Sequence, residues 1–255
     1  MSRTSAVRIA LVFPELLGTY GDGGNARILA RRLEWRSVPV ELLEVSAGSP
    51  VPADCDVYCL GGGEDGPEVG AAAALRPGNP LGRAVESGAA VLAVCAGFQV
   101  VGNVFPGADG TEHAGVGLID ARTRKGAGRR AVGEVIARPG PSLGGLPDLT
   151  GYENHSAVTE LAPSVEPLGT VVAGVGNGTP DGSEGAVAGR VVCTYMHGPV
   201  LARNPALADR ILESVIGPLA PLTDAEAEAL HAERLRAVRS GGRLPGWRRL
   251  RARRA

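Results

Sequence analysis

Val91-Leu92-Ala93-Val94 is an apolar run that delivers Cys95 directly into Ala96-Gly97-Phe98-Gln99-Val100-Val101-Gly102, which reads as the start of a helix. A strand, a sharp turn and a helix with cysteine at the apex expose a nucleophile, and the small residues Ala96 and Gly97 leave room for the backbone to bend. The N–H groups and positive end of the helix favour thiolate, so the thiol is expected to fall from about 8.5 toward neutrality. The same N–H groups, that of Ala96 first, can face a developing oxyanion, and each donor is worth roughly 3–4 kcal/mol in acyl transfer. The competing reading of a lone cysteine is a small buried hydrophobe. Cys55, Cys59 and Cys193 are read that way, because none precedes a small-residue elbow. Cys55 and Cys59 also lack a second Cys or His pair at metal-site spacing, so no metal is expected.

Only four histidines could activate that thiol: His113, His155, His197 and His231. His197 follows the strand-like Val191-Val192-Cys193-Thr194-Tyr195-Met196 and precedes Gly198-Pro199, which puts it at a strand end, where open α/β sheets place their sites. It is the candidate base. His231 is expected to face solvent on a charged helix, and His113 to lie in a polar loop. His155, in Gly151-Tyr152-Glu153-Asn154-His155-Ser156, belongs to a polar cluster too dense for an ordinary strand, which either lines the site or forms a structured turn. Leu60-Gly61-Gly62-Gly63-Glu64-Asp65 is a turn whose backbone N–H groups can approach a ligand closely. Gly62 is its candidate oxyanion donor. The earlier Gly18-Thr19-Tyr20-Gly21-Asp22-Gly23-Gly24-Asn25 has neither P-loop nor dinucleotide spacing and is read as a wall or a partner surface.

The elements that must carry these residues alternate. Val7 to Phe13, Val38 to Val45, Val57 to Leu60 and Ala90 to Val94 read as strands, with an amphipathic helix from about Asn25 to Arg36. That pattern predicts an α/β fold with a mostly parallel, flavodoxin-like central sheet flanked by helices. After about Gly115, short runs at Ala131 to Ala137, Val171 to Ala173, Gly185 to Val187 and Val191 to Tyr195 predict an antiparallel second half. A helix from Pro205 to Ile216 follows, then a charged helix with an N-cap signal at Thr223 and Asp224, and an Arg-dense tail from Arg234 to Ala255. The expected division is 1–217 as the main domain and 218–255 as a C-terminal helix and Arg-rich tail, either a solvated end or an arm for an acidic partner surface. A chain of 255 residues, 44% hydrophobic and with net charge −1, can bury a large core and has no bulk attraction to nucleic acid or anionic membrane. Without a signal-like start, a spanning segment or a cysteine framework, a cytoplasmic protein with reduced thiols is expected.

From about Val7 to Leu212 the chain resembles the class I glutamine amidotransferases of the cobyric-acid-synthase type. Within that group it is similar to the glutaminase subunits of lipid II isoglutaminyl synthase. The resemblance is carried, in order, by Tyr20 to Asn25, Leu60 to Asp65, Cys95 to Gln99, Gly151 to His155 and Tyr195 to Pro199. It implies that Cys95 attacks L-glutamine, that His197 is the base, and that Arg130 (or its neighbour Arg129) grips the substrate carboxylate, which suits a planar guanidinium. It implies no cofactor in this chain. It also implies a MurT-like, ATP-using Mur-ligase subunit as heterodimer partner, with lipid II reached through that partner and no membrane insertion. Many class I members carry a Glu two residues beyond the His, where this chain has Pro199. The base therefore lacks its usual in-chain orienter, and the resemblance implies that a partner carboxylate completes the site. Other readings are an amidotransferase for a corrinoid or nucleotide precursor, a γ-glutamyl hydrolase, and a catalytically silent regulatory subunit of a synthetase.

Overall fold

A computed structural model describes residues 5–240. The first half runs β1 (Val7–Val12), α1 (Gly24–Glu34), β2 (Val40–Val45), β3 (Val57–Leu60), α2 (Asp65–Leu75), α3 (Pro80–Glu86), β4 (Ala90–Val94) and α4 (Ala96–Val101). Short strands follow: β5 (Val104–Pro106), β6 (Glu112–Ala114), β7 (Ala121–Lys125), β8 (Ala131–Pro139), β9 (Leu149–His155), β10 (Ala157–Leu161), β11 (Gly169–Ala173), β12 (Ser183–Glu184), β13 (Ala186–Ala188) and β14 (Val191–Thr194). Three helices end the described chain, α5 (Val200–Arg203), α6 (Pro205–Ile216) and α7 (Ala225–Arg239). The Arg-dense tail beyond position 240 lies outside the described residues.

The main sheet has the order β13-β14-β4-β3-β1-β2. All its pairings are parallel except the edge pair β13–β14. β3, β4 and β14 are buried at every position. That is why they read as unbroken apolar runs rather than alternating ones. β1 lies between β2 and β3, so the chain reverses its direction of travel across the sheet at β1. Ligands bind outside the carboxyl ends of strands at such a reversal. The turns after β1, β3, β4 and β14 all open there, and they carry Asp22, Gly62, Cys95 and His197. The second half forms two four-stranded sheets, β10-β7-β5-β6 and β12-β11-β8-β9, mostly antiparallel. Gly151-Tyr152-Glu153-Asn154-His155 is continuous strand in β9 after all. The expectation that it was too polar for a strand fails because Glu153 and His155 point inward and find partners there.

α1 buries Ala26, Leu29, Ala30 and Leu33 at helical spacing, and with them the cation Arg32. The Arg32 guanidinium donates to Asp209 at 2.6 and 2.7 Å and to Asp224 at 2.6 Å. Asp224 precedes α7 as expected of an N-cap, but its side chain makes no capping bond. It is spent on Arg32, tying the start of α7 to α1. His231, expected in solvent, is buried, and its Nδ1 lies 2.8 Å from the Arg203 carbonyl. Helical period put it on the face that α7 turns toward the domain. His113, expected in a loop, sits in β6 against the Phe105 ring.

Glu184 is fully buried in β12, where Oε1 accepts from Thr194 Oγ1 and from Tyr195 N–H, each at 2.8 Å. Burial, reinforced by the charge of Glu153, pushes its carboxyl from the ordinary 4.5 up to about 7. A raised folded-state value means the native protein keeps a proton that the unfolded chain has lost. Stability therefore falls as pH rises from about 4.5 to 7 and stays lower above, by roughly 3 kcal/mol from this one group. Glu184→Gln is expected to remove that decline. Thermal melts should show the variant gaining several degrees over wild type at about pH 8 and little at about pH 5; an equal difference at both values would show that Glu184 is ionised in the native state.

Candidate active site

Cys95 has φ 52° and ψ −106°, outside the regions a non-glycine residue normally occupies. Strain of this kind is held only where surrounding structure over-determines it. Here the Cys95 N–H is fixed to the Thr194 carbonyl at 2.8 Å, and Gly97 N–H to the Gly61 carbonyl at 3.1 Å. Residue 97 must be glycine for α4 to sit this close to β3, since a Cβ would lie 2.9 Å from both Leu60 Cβ and the Leu60 carbonyl oxygen.

The thiol itself departs from expectation. Burial first, then the charges of Asp22 and Glu68, push it up to about 12, while the Ala96 N–H and Arg130 oppose the rise. The expected shift toward neutrality does not occur, because α4 has only six residues and burial together with the charges of Asp22 and Glu68 outweighs the Ala96 N–H and Arg130. At rest Cys95 is a neutral thiol that needs a base.

The candidate base, His197, lies just beyond the neighbouring strand. β14 pairs β4 with Thr194 opposite Val94, so Cys95 and His197 leave the same edge of the sheet two residues out of step. His197 Nδ1 lies 2.8 Å from Asp22 Oδ2, and both side chains are buried. Asp22 Oδ2 also accepts the Gly62 N–H at 2.9 Å. A carboxylate oxygen that already accepts one hydrogen bond can only accept again, so the imidazole proton sits on Nδ1. Nε2, which has no partner among the described residues, carries the lone pair. The Glu usual two residues beyond the His is absent, as the sequence shows, but a different in-chain carboxylate reaches the imidazole. The carboxylate comes from the glycine-rich turn after β1, which had been read only as a wall. Tyr20 from the same turn packs its ring 4.8 Å from His197, and its hydroxyl accepts from Asn154 Nδ2 at 2.7 Å.

Gly62 is essential to this pair rather than to an oxyanion. Its N–H is occupied by Asp22, and a Cβ there would lie 2.6 Å from His197 Cε1. Its assignment as an oxyanion donor is therefore corrected. Gly63, one residue on, lines the cleft together with Cys95, Glu68, Gln99, Lys125, Arg130 and His155. Ala96 keeps its place beside the sulfur.

Arg130, rather than Arg129, reaches the cleft, and it is held by Asn154 through Oδ1 at 2.5 Å and the backbone carbonyl at 3.0 Å. His155 also lines the cleft, stacked on Tyr195 with ring centroids 4.0 Å apart. His113 and His231 stand elsewhere. Sequence reasoning missed Asp22, Tyr20, Glu68 and Asn154. Asp22 alone offered a signal, an acidic residue inside a Gly-rich turn at the end of the first strand.

A buried imidazole oriented by a buried carboxylate, and a thiol on a strained elbow at the end of the adjacent strand, are the parts that nucleophilic acyl transfer uses. Residues 8–205 match the CobB/CobQ-like glutamine amidotransferase domain. The GatD subunit of lipid II isoglutaminyl synthase (glutamine-hydrolyzing) from Staphylococcus aureus is 32% identical over 77% of this chain and 79% of its own. Its namesake from Streptococcus pneumoniae is 30% identical over 82% of this chain and 80% of its own. A probable cobyric acid synthase of Methanoculleus marisnigri is 34% identical over 53% of this chain but only 26% of its own. Two glutamine amidotransferase crystal structures share the fold: one with a TM-score of 0.53 at 18% identity, over 81% of this chain and 98% of that one, and one from Thermotoga maritima with 0.52 at 13%, over 92% and 93%. The family match spans well over half of the chain, which therefore belongs to the CobB/CobQ-like glutamine amidotransferases and is a glutamine-hydrolysing enzyme.

Proposed function

We propose that this chain is the glutaminase subunit of a lipid II isoglutaminyl synthase, hydrolysing L-glutamine and passing ammonia to a MurT-like ligase subunit in the cytoplasm. The observation that carries the reading is the similarity to two GatD subunits over about four fifths of both partners in each comparison. The cobyric acid synthase match would favour a corrinoid acceptor, but it covers about a quarter of that larger protein.

In this reading His197 Nε2 takes the thiol proton as Cys95 Sγ attacks the carboxamide carbon of glutamine. The oxyanion meets the N–H groups of Ala96 and Gly63, and Asp22 steadies the imidazolium without taking its proton. His197 then returns the proton to the departing nitrogen, releasing ammonia and leaving a thioester. Water, deprotonated by the same Nε2, cleaves the thioester to glutamate and the free thiol. The ligase subunit would spend ATP to join the ammonia to the D-glutamate α-carboxylate of the peptidoglycan stem.

Arg130 closes on the α-carboxylate of glutamine. Arg130→Ala is expected to raise KM for glutamine by about 10–100-fold with a smaller change in kcat. Unchanged kinetics would remove Arg130 from the site.

The whole assignment is tested by mixing this chain with a co-purified MurT-like subunit, ATP, glutamine and lipid II, and reading amidated lipid II by mass spectrometry. Amidation that needs both chains supports it. Glutamine hydrolysis with no amidated lipid II points to another acceptor.

A further inference from the structure

Tyr20 holds a backbone conformation that needs a reason. Its φ of 65° lies in the left-handed region, and Gly21 after it has φ 75°. That region is unfavourable for a residue with a Cβ, and strain of this kind persists where the surroundings over-determine it. Here the turn is pinned on both sides. Thr19 N–H donates to the Gly62 carbonyl at 3.0 Å, and the N–H groups of Gly24 and Asn25 return to the carbonyls of Gly21 and Asp22, each at 2.9 Å. Asn25 Oδ1 then accepts the Leu201 N–H at 3.0 Å, which ties the same turn to the segment following His197. The conformation lays the phenol ring of Tyr20 over the imidazole of His197, with centroids 4.8 Å apart and planes tilted by 55°, a favourable aromatic geometry. From the other side the Tyr20 hydroxyl accepts from Asn154 Nδ2 at 2.7 Å. The sense of that bond is fixed, because a guanidinium only donates: Asn154 Oδ1 faces Arg130 Nε, so its amide N–H faces Tyr20. Tyr20 is 41% exposed, whereas His197 and Asp22 are each 1% exposed. It is not among the described residues that line the cleft with Cys95.

We infer that Tyr20 is a positioning residue for the base, its ring fixing the plane of the His197 imidazole and keeping water from the His197–Asp22 hydrogen bond. This rests on His197 as the base and goes beyond the triad. A single bond from Nδ1 to Asp22 fixes one corner of the imidazole and leaves its plane free to pivot. The backbone of Gly62 crowds the edge at Cε1, where a Cβ would lie 2.6 Å away, and Tyr20 covers a face. Together the three contacts leave the lone pair of Nε2 one direction in which to point. A base works only when that lone pair meets the proton it takes, and a misplacement of about 1 Å costs on the order of a hundredfold in rate. Asn154 holds the phenol in place, so that an exposed side chain keeps one orientation.

The test measures kcat and KM for glutamine hydrolysis, with thermal melts beside them, in the complex with the ligase subunit. Tyr20→Asn removes the ring but suits the left-handed backbone, which Asn tolerates. It is expected to melt within a few degrees of wild type, yet to lower kcat about 10–100-fold with KM changed by no more than about threefold. Tyr20→Phe keeps the ring and gives up only the bond to Asn154, and it is expected to bring kcat back to within about fivefold of wild type. A residue that served the fold alone would move the melting temperature and kcat together. A rise in KM with kcat kept would mean that Tyr20 touches the substrate. Either result overturns the inference, as do equal losses in Tyr20→Asn and Tyr20→Phe or unchanged kinetics in both. Full hydrolysis by His197→Ala would remove the base itself, and this inference with it, whatever the Tyr20 variants do.

Discussion

Cys95→Ala is expected to bring glutamine hydrolysis to background, a loss of at least about 10⁴-fold in kcat, because no other group on the cleft can form the thioester. Cys55, Cys59 and Cys193 are buried in the sheet or at its edge and do not line the cleft with Cys95. The same environment predicts an unusual reactivity. With the thiol held up near 12 by burial and two carboxylates, iodoacetamide at about pH 7.5 should label Cys95 about 10²–10³-fold more slowly than a free thiol. Labelling rate and steady-state glutamate release therefore test one idea from two sides. A nucleophile that is inert to a general alkylating agent yet indispensable for turnover is activated by its base only in the assembled reaction. Fast labelling at neutral pH would show that the thiolate already exists at rest. Hydrolysis that survives Cys95→Ala would remove covalent catalysis through this residue.

The second large effect belongs to Asp22. Asp22→Asn is expected to lower kcat/KM for glutamine by about 10³–10⁴-fold, as other triads lose rate when their carboxylate is neutralised. The reason is visible in the double use of Oδ2, which accepts both the Gly62 N–H and the His197 Nδ1–H. An asparagine oxygen in that place keeps the bonds but gives up the charge that steadies the imidazolium. An amide nitrogen there donates to Nδ1 and turns Nε2 into the wrong tautomer. The measurement that matters is made with the ligase subunit bound. If a partner carboxylate were the orienter, the Asp22→Asn complex would retain near-wild-type hydrolysis, and the in-chain role assigned here would fail. Loss in the complex and in the lone chain alike would place the orienter within this fold.

Much of the frame was legible before any coordinates. β3, β4 and α6 fall where the sequence reading put them, and β1, β2 and α1 differ by at most two residues at an end. Long apolar runs between glycine-rich turns leave few other ways to bury those side chains, and Cys95 stood out because an elbow needs a strand before it and small residues after it. His197 was readable for a similar reason, since a polar residue directly after a buried strand lands at the sheet edge.

By itself, then, the sequence determined the α/β class and the family and singled out Cys95 and His197 as the proposed nucleophile and base, because each is written in residues close together along the chain. Tertiary structure alone decided what these groups can do. Asp22 and His197 are 175 residues apart and meet only because β1 and β14 open on the same end of one sheet. The Gly62 N–H looked like an oxyanion donor until that meeting claimed it, and the polar run ending in His155 became a strand because β8 pairs with it and the interior supplies its partners. The thiol of Cys95 was expected to fall and instead rises, since protonation depends on burial and on the charges of Asp22 and Glu68 brought in from distant turns, which local spacing does not encode.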